Sequence, residues 1–189
     1  MDAKTLSEAF GLITLEELVL LKKVVSTLDT RPVIMNVGTG RGTTLLGILE
    51  VRPQAHIITV DIAVTNAKQY LDEAEFGSAD VTFVLKDSTQ AAEDWKDEEV
   101  DLLIIDADHI QEKAAADIAA WVPSVKIGGH VLVHDYGEAW PMWQNVKKVT
   151  DAYAATHNLK RQALAGCFAH FIVKPAVVKR RGRPAKKTS

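Results

Sequence analysis

Apolar positions along the chain follow two alternating patterns. Short runs rich in β-branched residues at 33–37, 56–60, 81–85, 101–105 and 130–133 read as buried strands. Longer stretches between them have helical spacing. Ala114, Ile118, Trp121, Val122 and Val125 stand at i, i+4, i+7, i+8 and i+11, one face of a helix. Further helices are predicted over 43–51, from near Gln111 and from near Gln144. Thr14 and Glu17 have capping-box spacing and open an apolar helix through Leu18, Leu21, Val24 and Val25. That helix is placed to cap the sheet edge, to cover a ligand or to pair with another subunit. Runs at 159–164 and 168–173, joined through Gly166, predict a hairpin closing the sheet. Strands alternating with crossover helices imply an α/β fold, a mostly parallel sheet with helices on both faces.

The 189 residues suit one domain at roughly 150 residues per domain. The expected organisation is a helical cap at 1–30, the α/β domain at 31–174 and a basic tail at 175–189. Apolar runs such as Leu102 to Ile105 fall far short of the ~18 residues a membrane span needs. The first thirty residues lack a signal-peptide pattern, so a cytoplasmic protein without membrane partners is expected. Cys167 is the only cysteine, which excludes an internal disulfide and predicts a small buried apolar side chain.

The net charge of −3 conceals a division. Residues 174–189 hold seven basic side chains and no acidic one, leaving 15 basic against 25 acidic residues before them. A body of −10 thus carries a tail of +7, which lacks an apolar period after Val178 and is expected to be disordered in isolation.

In a doubly wound sheet ligands bind at the carboxyl ends of the strands. The first strand ends in Asn36-Val37-Gly38-Thr39-Gly40-Arg41-Gly42 ahead of an apolar helix. Glycines there permit a tight turn and a close approach of backbone N–H groups to a ligand. Asp61 ends the second strand, 21 positions after Gly40, where a carboxylate accepts hydrogen bonds from ribose hydroxyls. A nucleoside-containing ligand follows.

The spacing G-x-G-x-G departs from the dinucleotide pattern G-x-G-x-x-G, because Gly42 comes one position early and Thr43 holds the third place. It resembles the S-adenosylmethionine loop of class I methyltransferases. Lys86-Asp87-Ser88 after the third strand, Asp106-Ala107-Asp108-His109 after the fourth, Lys126-Ile127-Gly128-Gly129, and Val133-His134-Asp135-Tyr136 after the fifth are similar to the small-molecule branch of that family. The resemblance covers roughly residues 30–173 and implies a seven-stranded Rossmann-like sheet of order 3-2-1-4-5-7-6. It also implies cofactor contacts from Asn36, Gly38, Gly40, Gly42, Asp61, Ile62, Asp87, Ser88 and Asp106, with Asp87 and the Ser88 N–H at the adenine amino edge. Ser88 is also suited to capping the following helix. Asn36 departs from the family, whose members usually carry Glu or Asp there.

Methyl transfer from a sulfonium is an in-line displacement, so the protein has to align the nucleophile and accept its proton. Asp106, Asp108, His109, His134 and Asp135 are expected to converge on that task, with His109 or Asp108 as the base. Related enzymes ligate Mg²⁺ through an Asp at the place of Asp106 and an acidic pair after the fifth strand. Here Asp106, His134 and Asp135 are the matching ligands. The imidazole makes Mg²⁺ less suitable and Mn²⁺, Fe²⁺ or Zn²⁺ more so. Tyr136, Trp140, Met142 and Trp143 would wall a pocket for a flat or sugar-like acceptor or pack on the N-terminal helix. The expected activity is O-methylation of a small molecule.

The tail contains Arg181-Gly182-Arg183-Pro184, which resembles an AT-hook and implies attachment to the minor groove of A·T-rich DNA. Two rival readings follow: a DNA-associated S-adenosylmethionine-binding protein without turnover, and a nicotinamide-binding oxidoreductase. A homo-oligomer and a divalent metal are compatible with the sequence.

Overall fold

The computed structural model describes residues 2–10, 13–63, 66–96 and 99–175; the AT-hook-like motif lies outside them. Seven strands form one sheet: β1 (Val33–Val37), β2 (His56–Asp61), β3 (Val81–Leu85), β4 (Val100–Ile105), β5 (Val125–Val133), β6 (Leu159–Ala165) and β7 (Phe168–Val173). Their order is β3-β2-β1-β4-β5-β7-β6, as expected. The first five strands are parallel, while β7 runs antiparallel to both β5 and β6.

Alternation along β1 separates two cores. Ile34 joins Ile57, Leu102, Ile104 and Leu132 on one face, whereas Met35 and Val37 join Ile58, Leu103 and Val131 on the other. The first face is covered by α1 (Ala3–Phe10), α2 (Leu15–Ser26), α3 (Thr43–Leu49) and α4 (Ala67–Glu73). The second carries α5 (Ser88–Asp94), α6 (Gln111–Trp121) and α7 (Pro141–Thr156). Leu6, Leu18, Leu21 and Val25 lie in the same apolar cluster as Ile34 and Leu45, so α1 and α2 form part of the sheet's cover.

Two boundaries differ from the periodicity. Val122 begins a 3₁₀ turn (Val122–Ser124) and Val125 the strand β5, so the helix face ends at Trp121. Pro123 lacks the N–H that a continuing helix needs. β5 also starts earlier than the run 130–133: Val125 pairs with Val100, and the next registered pair is His130 with Leu102. Residues 126–129 form the irregular part of the strand, around Gly128 at φ +85°. α7 begins at Pro141, a favoured first helical residue.

Candidate active site

The central strand ends are tied together beyond the ladder. Gly38 N donates to Val60 O at 2.8 Å, Asp106 N to Val37 O at 2.8 Å, and His134 N to Ile105 O at 2.9 Å. Gly38 has φ +96°, and a Cβ there would stand 1.9 Å from the Asp106 carbonyl oxygen. Only glycine lets the first loop pass this close to the fourth. Beneath that loop Asn36 is fully buried, its Nδ2 donating to Gly38 O at 2.7 Å and to Thr59 Oγ1 at 3.0 Å. The Asp61 carboxylate accepts from Thr39 N at 2.9 Å, Gly40 N at 3.3 Å and Ala63 N at 3.0 Å. These bonds shape one wall of a cavity of about 550 Å³ lined by Gly38, Gly40, Asp61, Asp87, Asp106 and Asp117, with Ile62 and Ser88 also on its surface. That volume falls within the roughly 300–1,000 Å³ of small-molecule sites.

Asp106 also belongs to a second group. His134 Nδ1 lies 3.0 Å from Asp106 Oδ1 and 3.2 Å from Asp135 Oδ2, while His134 Nε2 faces Glu17 Oε2 at 3.5 Å. His109 Nδ1 approaches Asp135 Oδ2 at 2.9 Å. Burial opposes the charge on His134, but the Asp106 and Asp135 carboxylates overcome it and hold the imidazole far above its ordinary value. Asp135 responds in the opposite sense: burial raises it, and the hydrogen bonds from His109 and His134 outweigh that and keep it ionised. The hydrogen bond to Asp135 raises His109 against its partial burial. Asp135 itself has φ +53°, a conformation uncommon outside glycine and one that aims its side chain back between the two histidines.

Residues 35–136 match the family described as methyltransferase domain. The chain belongs to the methyltransferase-domain family. It is a class I S-adenosylmethionine-dependent methyltransferase. No curated protein matches it. Among solved structures it is similar to a candidate caffeoyl-CoA O-methyltransferase from Staphylococcus aureus, with a TM-score of 0.72 at 17% identity over 90% of each chain. The O-methyltransferase from Bacillus cereus in complex with SAH gives a TM-score of 0.69 at 18% identity, covering 91% of this chain and 89% of that one. Cofactor-bound Rv0187 from MTB gives 0.74 at 16% identity, covering 92% and 88%. At these identities the likeness is one of fold.

In this methyltransferase the sequence-predicted residues separate into two places. Gly38, Gly40, Asp61, Ile62, Asp87, Ser88 and Asp106 line the cavity, whereas Asn36 and Gly42 stand outside its lining, one bracing the loop and the other opening α3. Asp106, His109, His134 and Asp135 are brought together. Asp108 is not joined to them. It accepts from Ile110 N at 2.8 Å, pairs with Lys113 at 2.8 Å and lines the cavity.

The cap of α5 is Asp87 rather than Ser88, its Oδ1 accepting from Thr89 N and Gln90 N. Ser88 Oγ accepts from Trp121 Nε1 at 2.9 Å. Tyr136 is 1% exposed, donates to Asp151 Oδ1 at 2.6 Å and accepts from Arg161 at 2.8 Å, so it packs in the core rather than on the 550 Å³ cavity. Trp140 and Met142 remain exposed.

Glu17 and Cys167 were not expected here. Cys167 is buried as predicted, but polar in its contacts: its N and Sγ donate to Glu17 Oε1 at 2.8 and 3.1 Å. Thr14 N donates to Glu17 Oε2 at 2.7 Å. The capping box that starts α2 therefore also places a buried carboxylate beside His134. Gly166 makes room for it, since a Cβ there would meet Glu17 Oε1 at 2.4 Å.

Proposed function

We propose that S-adenosylmethionine occupies the 550 Å³ cavity and that its methyl group passes to the hydroxyl of a small molecule presented at His109. The observation carrying this reading is the double membership of Asp106, which lines the cavity and contacts His134 in the titratable cluster. Cofactor and proton acceptor therefore meet at one strand end. Asp61 takes the ribose hydroxyls, Asp87 and Ser88 stand at the adenine end, and Gly38, Gly40 and Asp106 follow the methionyl portion. Asn36 and Gly42 shape the loop.

His109 Nδ1 is engaged by Asp135, leaving Nε2 to accept the hydroxyl proton as oxygen attacks the methyl carbon and the carbon–sulfur bond breaks. The Asp135 carboxylate orients the ring and stabilises the imidazolium formed. Asp108, held by Lys113, is the less suitable base. The Bacillus cereus neighbour is likewise an O-methyltransferase.

Asp106, His134 and Asp135 each offer a ligand atom within 4.8 Å of the others. Two carboxylates and an imidazole fit Mn²⁺, Fe²⁺ or Zn²⁺ better than Mg²⁺. Such an ion would lower the pKa of a bound hydroxyl.

The test is transfer of labelled methyl to a panel of small phenols and sugars. His109→Ala should remove turnover while leaving cofactor affinity in place. Undiminished turnover in that variant would exclude His109 as the base.

The +7 tail with Arg181-Gly182-Arg183-Pro184 supports an additional attachment to A·T-rich DNA. Removing residues 175–189 should abolish salt-sensitive DNA binding and spare cofactor binding. DNA affinity that survives the deletion would refute it.

A further inference from the structure

One buried carboxyl in the cavity has no role in the scheme above. Asp117 lies within α6, is 5% exposed, and lines the same cavity as Asp61 and Asp87. Its surroundings are built. The Trp121 indole donates to Ser88 Oγ at 2.9 Å, and Ser88 and Asp117 line the cavity together. A ring buried in the core thus orients the serine, and beside it a buried carboxyl faces the cavity.

Asp87 is situated differently. It is exposed, and its Oδ1 already accepts from Thr89 N at 3.0 Å, Thr89 Oγ1 at 2.6 Å and Gln90 N at 3.2 Å. Selection by hydrogen bonding depends on what a mismatch leaves behind. An exposed acceptor that loses its donor turns to water, whereas a buried acceptor is left unpaired and bears the desolvation cost. Of the two carboxyls, only Asp117 is placed to reject a base that lacks a donor.

We propose that Asp117 is a specificity-determining residue that accepts the adenine 6-amino group, so that the protein selects adenosyl over inosyl forms of the cofactor. The inference rests on the reading that S-adenosylmethionine occupies this cavity. Inosine carries a carbonyl oxygen where adenine carries the amino group, and two acceptors then face one another. Burial, with the Asp87 and Asp108 charges nearby, raises the Asp117 carboxyl above its ordinary value. That is the sense in which a carboxyl short of a donor partner responds.

The experiment compares binding of S-adenosylhomocysteine and S-inosylhomocysteine by calorimetry. Wild-type protein should prefer the adenosyl ligand by about 100-fold, the scale of the desolvation penalty of one buried acceptor left unpaired. In Asp117→Asn the amide can accept from an amino group or donate to a carbonyl, so the preference should fall to within about threefold. Asp87→Asn should weaken both ligands alike and keep their ratio.

Equal affinity of wild type for the two ligands would overturn the proposal, and this result needs no variant to fold. A ratio that survives Asp117→Asn but is lost in Asp87→Asn would overturn it and give the role to Asp87. Failure of either ligand to bind wild type would instead overturn the cofactor-site reading, and the proposal with it.

Discussion

Replacement of Glu17 by Gln tests whether the N-terminal helix is locked to the active site through a buried charge. Glu17 is 2% exposed, with one carboxylate oxygen accepting from Cys167 and the other from Thr14 and facing His134. Burial alone would raise its pKa, yet the hydrogen bonds of His134, Thr14 and Cys167 bring it down to about 2 from 4.5. At about 1.4 kcal/mol per tenfold, that difference is worth roughly 3 kcal/mol. A similar figure of about 3–5 kcal/mol is typical when one partner of a buried pair is removed. The amide cannot accept at both oxygens, so one backbone N–H would face an NH₂ group and His134 would lose a counter-charge.

For a chain of this size the expected loss in Tm is roughly 6–12 °C at pH 7. The sign with pH is fixed by the direction of the shift. A depressed carboxylate stabilises the fold above its unfolded pKa of 4.5, and the stabilisation fades as pH falls towards about 2. Melting curves followed by circular dichroism should therefore show the gap between wild type and Glu17→Gln narrowing below pH 4.5. A gap under about 2 °C at pH 7, or one that stays constant down to pH 3, would refute the reasoning.

Three other outcomes follow from the geometry. His170 is 8% exposed, stacks on His130 with Nε2 at 2.8 Å from its Nδ1, and is pushed down to about 4 by burial and by His130. The fold favours its neutral form, so this stabilisation is whole above about pH 6.5 and decreases by roughly 3 kcal/mol as pH falls to about 4. His170→Phe should show a flatter stability profile over that window, measured by urea unfolding. Gly38→Ala forces a methyl against the Asp106 carbonyl and should abolish cofactor binding by calorimetry, while unchanged affinity would remove the close approach from the account. Metal titrations should show Mn²⁺ or Zn²⁺ binding more tightly than Mg²⁺, with the affinity lost in Asp106→Asn; equal affinities would contradict the donor-set argument.

The strands were legible as short β-branched runs, and their order came from the resemblance to class I methyltransferases, whose motifs stand at the strand ends. Asp61, Asp87 and Asp106 could be assigned to one cavity from strand ends alone. What the sequence withheld depends on contacts between distant segments. Glu17 reads as a capping-box residue, and nothing local shows that the Gly166-Cys167 turn, 150 positions along, donates into its carboxylate. Tyr136 looks like a pocket aromatic until Asp151 and Arg161 are seen to satisfy its hydroxyl. Asp108 and His109 are adjacent in sequence, yet Lys113 draws one away and Asp135 holds the other. Val125 satisfies a helical period that Pro123 interrupts.

The central claim is that the cavity at the ends of β1, β2 and β4 is the S-adenosylmethionine site. Calorimetry with S-adenosylhomocysteine on wild type and Asp61→Ala tests it most directly, with Asp61→Asn as the variant that preserves the side chain's size. Saturable one-to-one binding by wild type, abolished in Asp61→Ala and weakened in Asp61→Asn while both variants remain folded by circular dichroism, is the result predicted. Wild-type affinity in a folded Asp61→Ala protein would contradict the claim.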